Sequence, residues 1–306
     1  MINILNLKYF VMVAEEKNIT RVAEKEHISQ QSLSNHIKKM EEELGVTLFD
    51  RTGGLSLTYA GERYYNYATE VLRLTREVEN ELSDLKGAKQ GILRIGISYT
   101  RGSAFLPEIL PPFCEKFPHV NLVITENNTQ VLEDYLQHGH IDLYIATDIK
   151  KRASIEKVDL CNENLYLVVP KKYLEPGAPD IYEKEESIEK FKDYNFLMLT
   201  KANRIRKTVD EYIKAANLEL NILLETENIE TLYQLSCKGM GITVYSEMFM
   251  RKHFTKKNLP VSFIPIKGES FKSTLSIGYN KNKYLSSAAK EFINEAKLNL
   301  LQPQKQ

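Results

Sequence analysis

Residues 1–88 contain no proline, and their apolar residues recur at helical spacing; from Gly91 onward, short β-rich runs alternate with helical ones. In the first region Leu7, Phe10, Val11, Val13 and Ala14 form one stripe, and Leu33, Ile37, Met40 and Leu44 form another. In the second, strands are expected at 92–97, 120–125, 141–146, 165–169, 196–199, 222–224, 241–245 and 275–279. Helical stretches at 103–117 and 130–138 fall between the first three, and a final helix follows the last. Strands alternating with helices imply βαβ units and a mainly parallel sheet. The fold class is therefore α/β overall, with an all-α N-terminal part. The stretch 171–195, with Pro176, Pro179 and many charges, reads as a surface loop plus a short helix, and the tail 302–306 as frayed.

Between the two regions runs one long helical segment, from about Thr58 to Lys86. Tyr64, Tyr67, Val71, Leu74, Val78, Leu82 and Leu85 recur at steps of three and four, a heptad-like seam. The same spacing describes an amphipathic helix packed on its own domain, but a helix of this length exceeds what a globular domain usually needs, so residues 58–88 are read as a dimerising coiled coil.

Composition excludes several classes. Lysines plus arginines number 41 and so do aspartates plus glutamates, so bulk charge does not drive binding to polyanions. The 3 cysteines (Cys114, Cys161, Cys237) are odd in number and far apart, which suits a reducing cytoplasm and neither a disulfide framework nor a zinc pattern. No run is long and apolar enough for a membrane span, and the first residues lack a basic n-region, so a cytoplasmic location is expected.

The segment 18–37 reads NITRVAEKEHISQQSLSNHI. Thr20 is expected to N-cap one helix and Ser29 a second, after a tight turn at His27-Ile28, with Ala23 small enough for close crossing. The second helix offers a small polar face suited to a major groove. Gln30 and Asn35 can pair with adenine edges, Ser32 and Ser34 with base or backbone, and Ser29 with a phosphate at the helix N-terminus, with Gln31 on the same exposed face. Thr20, Arg21 and Lys38 flank that face. Without more, the same spacing also describes a helical hairpin whose polar face meets only water.

The next residues decide between these. EEELGVTLFDRTGGLSLTYAG (41–61), and SQQSLSNHIKKMEEELGVTLFDRT (29–52) read as one block, closely resemble the LysR-type transcriptional regulators. The resemblance is dense over 5–61 and continues as matches such as Phe117-Pro118, Gly139-His-Ile-Asp142 and Gly239-Met-Gly241. It implies a winged helix-turn-helix over 1–61 with Arg51 near the DNA backbone or minor groove. It further implies a linker helix at 58–88 and an effector-binding domain at 91–302. That domain would comprise two α/β subdomains of periplasmic-binding-protein type, about 91–162 plus 268–302 and about 163–267. Two positions depart from the family: Gln31 where proline is usual and Asn35 where arginine is common, so a family operator does not transfer. Implied partners are double-stranded DNA, RNA polymerase, a small-molecule effector and further copies of the chain, as a homodimer and then a homotetramer.

Residues 1–60 carry seven lysines and arginines against eight acids. One such domain neutralises few phosphates and should bind DNA weakly, so affinity must come from several copies.

Effector candidates follow from the rule that open α/β sheets bind ligands beyond the carboxyl ends of strands. Ser98, Thr100, Arg101 and Ser103 follow the strand at 92–97, and Thr200, Asn203 and Arg204 follow that at 196–199. Thr147, Asn228 and Thr231 complete the set. Two helix N-termini, hydroxyls and two arginines favour a small organic anion such as a carboxylate. Alternatively, both arginines point to solvent and Ser103 only caps its helix. No cofactor and no metal are expected: His138-Gly-His140 lacks a further ligand at suitable spacing. Cys161 and Cys237 read as small apolar residues rather than a redox pair. The rival function is a small-molecule-binding protein or enzyme that uses its N-terminal helices for assembly, but no catalytic constellation is visible, so no enzymatic activity is expected.

Overall fold

The computed structural model describes residues 3–87, 89–251 and 258–301; the tail read as frayed lies outside them. The helical region forms α1 (Ile4–Glu16), α2 (Ile19–Lys25) and α3 (Gln30–Leu44), then a small hairpin of β1 (Phe49–Asp50) and β2 (Ser56–Leu57), then α4 (Tyr59–Leu85). The α/β region follows as β3 (Gln90–Ile97), α5 (Tyr99–Lys116), β4 (His119–Glu126), α6 (Thr129–His138), β5 (Leu143–Thr147) and β6 (Ile155–Pro170). It continues as β7 (Asn195–Leu199), α7 (Arg204–Ala215), β8 (Asn221–Thr226), α8 (Ile229–Cys237), β9 (Thr243–Ser246) and α9 (Glu247–Arg251). The last elements are β10 (Val261–Pro265), β11 (Lys272–Asn280) and α10 (Ser287–Leu301).

By contact density the chain forms two compact units. The first holds residues 1–96, 114–144 and 279–291. In it Phe10, Val13, Val22, Leu33, Ile37, Leu48, Phe49 and Ala68 make one continuous core, so α1–α3, the hairpin and the start of α4 pack as one body. Sequence chemistry sets the helix ends. Asn3, Asn18, Ser29 and Thr58 each accept a backbone N–H of the turn they begin, and Gly45 closes α3 at φ 69°. Thr58 also donates to the carbonyl of Thr47 at 2.7 Å. Gly61 is required there, because a Cβ would stand 2.0 Å from the carbonyl oxygen of Leu48.

The second unit holds 97–113, 145–278 and 292–306. Here β6 is 16 residues long, well beyond the apolar run at 165–169 that marked it in the sequence. Its second half is paired antiparallel by β9 and by β10, and β11 also borders it. β7 and β8 pair in parallel, as expected of a βαβ unit. The strand β10 was not anticipated. The stretch 171–195 holds two short 3-10 turns, at Lys171–Tyr173 and Ile188–Phe191, and Ile188 and Phe191 are buried.

Candidate functional site

Helix α3 divides sharply by exposure. Leu33, Ile37 and Met40 are buried in the core. Ser29, Gln30, Gln31, Asn35 and Lys38 are exposed, with Ser32 and Ser34 beside them. The Ser29 hydroxyl accepts the Ser32 N–H at 3.1 Å, and the remaining N–H groups of the first turn stay available to a phosphate. Thr20 does not cap α2; Asn18 does, accepting the Arg21 N–H at 3.0 Å, which leaves Thr20 and Arg21 exposed inside the first turn. The correction has a simple cause: Asn is at least as good a cap as Thr, and it stands just before the first helical residue. His27 takes φ 54° and provides the sharp turn between the two helices.

The hairpin pairs Phe49 with Leu57 and Asp50 with Ser56. Glu41 fixes its base, accepting the N–H groups of Leu48 and Phe49 at 2.8 and 3.1 Å and bridging Arg51 at 3.3 Å. The positive side chains near the polar face are tied to acids in the same way: Arg21 and Lys25 to Glu16, and Lys38 to Glu42. The local field is therefore weak, in line with the charge count.

On α4 the seam is open from Tyr67 onward, whereas Tyr64 packs on Phe10 in the N-terminal core instead of joining it. Tyr67, Val71, Leu74, Val78, Leu82 and Leu85 are all exposed, Leu85 by 77%. Another face is engaged: Arg73 is held by Glu70 and Glu77, and Arg76 donates to the Gly139 carbonyl at 2.9 Å. His140, beside it, packs against Tyr65 and Tyr135, and its Nδ1 is 3.6 Å from Glu15. Burial lowers the His140 pKa to about 4, helped by His138 and Arg76. Among the described residues no group of three or more His, Cys, Asp or Glu side chains is placed to hold a metal.

The effector candidates lie in the second unit. Helix α5 starts at Tyr99, earlier than the stretch from 103 that the sequence suggested, because Gly102 joins the first turn and donates to the Ser98 carbonyl at 2.8 Å. Ser103 therefore lies within the helix, exposed, with its hydroxyl on the Thr100 carbonyl. Arg101 does not point into solvent. Its Nη2 donates to Glu163 Oε2 at 3.1 Å, with only 16% of the Arg101 side chain and 3% of that of Glu163 exposed. Arg204 bridges Asp148, whose other oxygen accepts the Thr274 N–H at 3.0 Å. Partial burial lowers the Arg204 pKa, Asp148 and Glu163 oppose this, and Arg101 adds to it, so the four charges act on one another. Thr147, adjacent to Asp148, is buried with its hydroxyl unpaired among the described residues.

Arg101 and Arg204 thus act on one another, with Thr147 next to Asp148 in the chain, whereas three other candidates are absorbed by helix ends. Asn203 caps α7 and Asn228 caps α8, and Thr231 gives its N–H to Asn228. Thr200 donates its N–H to Thr226. Two members were missed, Glu163 and Asp148. Glu163 left a signal: it occupies the same register as Leu165, Leu167 and Val169, an acid at an inward position of an apolar strand. With a carboxylate on each arginine, the pair has no spare positive charge for a bare anion.

A family model of the bacterial regulatory helix-turn-helix protein, lysR family, matches residues 4–62, and one of the LysR substrate binding domain matches 86–300. The chain belongs to the LysR family. As a LysR-family protein it is a DNA-binding transcriptional regulator with an effector-binding domain. It is 30% identical over 300 residues to a probable RuBisCO transcriptional regulator of Thalassiosira pseudonana, covering 94% of this chain and 95% of that one. To the uncharacterized HTH-type transcriptional regulator YybE of Bacillus subtilis it is 27% identical, over 94% of this chain and 95% of the relative. The fold is similar to that of a full-length OxyR variant from Pseudomonas aeruginosa (TM-score 0.74, 24% identity, 98% of this chain and 99% of that one). It is also similar to that of full-length CbnR complexed with its target DNA (TM-score 0.64, 22% identity, 97% and 100% covered). The named relatives are regulators, and among the described residues no helix of this LysR-family chain is long and apolar enough to cross a membrane.

Proposed function

We propose that this regulator works in the cytoplasm as a homodimer joined along α4 and, through a second pairing, as a homotetramer. In this reading α3 lies in the major groove, with Gln30, Gln31, Ser32, Ser34 and Asn35 toward base edges. Thr20, Arg21, Ser29, Lys38 and Arg51 meet the backbone. The observation that carries it is the division of α3 into a buried apolar face and an exposed amide-and-hydroxyl face that nothing in the chain covers among the described residues. That CbnR is known on its target DNA supports the same use of the helix.

The effector reading places a small polar molecule at Arg101, Thr147, Glu163, Asp148 and Arg204. Binding there favours one arrangement of the DNA-binding pairs over another, alters DNA bend and thereby contact with RNA polymerase; a switch needs that differential affinity and nothing more. Genome-wide footprinting of the tagged protein tests the DNA reading. Discrete protected sites are expected, and Gln30→Ala with Asn35→Ala should erase them while the oligomer persists. Unchanged footprints in that variant would remove α3 as the reading helix.

A further inference from the structure

A bare organic anion fits this site poorly. Arg101 and Glu163 form a buried pair, Arg204 and Asp148 form a second, more exposed one, and the formal charges cancel. An incoming carboxylate that took Arg101 for itself would strand Glu163, whose side chain is only 3% exposed, without its cationic partner; removing one partner of a buried pair costs about 3–5 kcal/mol. The unsatisfied atoms point elsewhere. Arg101 Nε, Glu163 Oε1, Thr147 Oγ1 and Ser246 Oγ are all buried and have no hydrogen-bond partner among the described residues. Native interiors rarely tolerate such groups unless something else satisfies them.

Ladder register and shared hydrogen-bond partners relate them. Ser246 is directly opposite Leu165 in the β6–β9 ladder, so its side chain is on the strand face that carries Glu163. Thr243, also unpaired, is opposite Val168 and faces the other way, so it does not belong to the group. Thr147 adjoins Asp148, and Thr274 ties that turn to β6 by accepting the Asp148 N–H and donating to Asn162, the neighbour of Glu163. Arg101 reaches Glu163 from the first turn of α5. The free capacity is thus one guanidinium N–H and two hydroxyls, which suit a carboxylate, beside one carboxylate oxygen, which needs a donor, best a charged one.

We propose that the site takes a small zwitterion of the amino-acid class, its carboxylate held by Arg101, Thr147 and Ser246 and its ammonium by Glu163. The proposal rests on the effector reading above and adds the ligand's charge type. With a zwitterion each buried charge keeps an opposite neighbour; with an anion or a cation one does not.

The full-length protein is titrated by calorimetry and thermal shift with the protein amino acids, each beside its des-amino carboxylic acid and its decarboxylated amine. At least one amino acid should bind about tenfold or more tighter than both of its analogues. Glu163→Gln keeps the size and one acceptor, and should abolish that preference so that the des-amino acid binds as well as the parent. Thr147→Val, milder on folding, should weaken the amino acid several-fold. A des-amino acid that binds the wild type as tightly as its parent, through Arg101, overturns the zwitterion and leaves the effector reading standing. Binding that ignores Arg101→Ala, Glu163→Gln and Thr147→Val overturns both, whereas an absence of binding by every amino acid and every analogue overturns the zwitterion. Absence of amino-acid binding beside binding of another ligand that needs Arg101 overturns the zwitterion alone.

Discussion

Placing a charge at Val78 should dissociate the regulator without altering any base contact. Val78 is 54% exposed in the isolated chain and stands well along the α4 seam. Full burial of a valine side chain is worth about 1.5 kcal/mol, so covering the exposed half contributes about 0.8 kcal/mol per copy. A twofold interface contains both copies, which makes about 1.5 kcal/mol lost in Val78→Asp from area alone. The greater cost comes from the carboxylate, which must shed water in an apolar seam or force the helices apart, at several kcal/mol. Together the dimer should weaken by at least about 4 kcal/mol, or roughly a thousandfold in Kd. Val78→Ala, which only trims the side chain, should cost about 1 kcal/mol. Sedimentation equilibrium measures both, and a gel shift should show operator binding falling in step with the monomer fraction. A Val78→Asp protein whose dimer Kd stays within about tenfold of wild type would refute the seam as the interface.

Four further outcomes are expected. Asn35→Ala should cost about 1–3 kcal/mol of specific operator affinity while leaving binding to random duplex unchanged, as read by competition gel shifts. If Arg21, Lys38 and Arg51 each meet one phosphate, a dimer should show a slope near about −5 in log K against log salt, and Arg51→Ala should reduce it by about 2. Gly61→Ala should lower the melting temperature sharply, since the new Cβ would lie 2.0 Å from a backbone oxygen at Leu48; an unchanged value would mean that α4 enters the domain differently. His140 tests the pH axis. Its folded pKa, held down to about 4 chiefly by burial, lies below the ordinary histidine value of about 6.5, so the unfolded chain binds the proton first as pH falls. Stability should therefore drop between about pH 6.5 and 4, and denaturant titrations of His140→Gln should lack that part of the decline.

The parts of this molecule legible in the sequence are those whose causes are local. The Ser29 cap and the three-four spacing of Leu33, Ile37 and Met40 are within one helix, and they specify its start and its buried face. The α4 seam was legible for the same reason. What escaped is what distant segments impose. β10 is buried at every position, VSFIP, with no alternation to separate a strand from any other apolar run, and it is defined by its ladder to β6. The start of α5 escaped because Gly102 reads as a breaker, whereas burial favours a small residue there.

The candidate effector site shows the limit most clearly. The sequence named the cations, because arginines after strand ends stand out, but their partners come from 62 and 56 residues away, and only the fold brings them close. That changes the chemistry rather than refining it. Two free guanidiniums select an anion by charge; two guanidiniums already bound to carboxylates select by how completely a ligand replaces what it displaces. An effector that must take Arg101 from Glu163 gains only the difference between two buried pairings, so most of its discrimination falls on the second group it carries. The buried acid, more than the arginine, is then the residue whose substitution should alter which molecules this regulator senses.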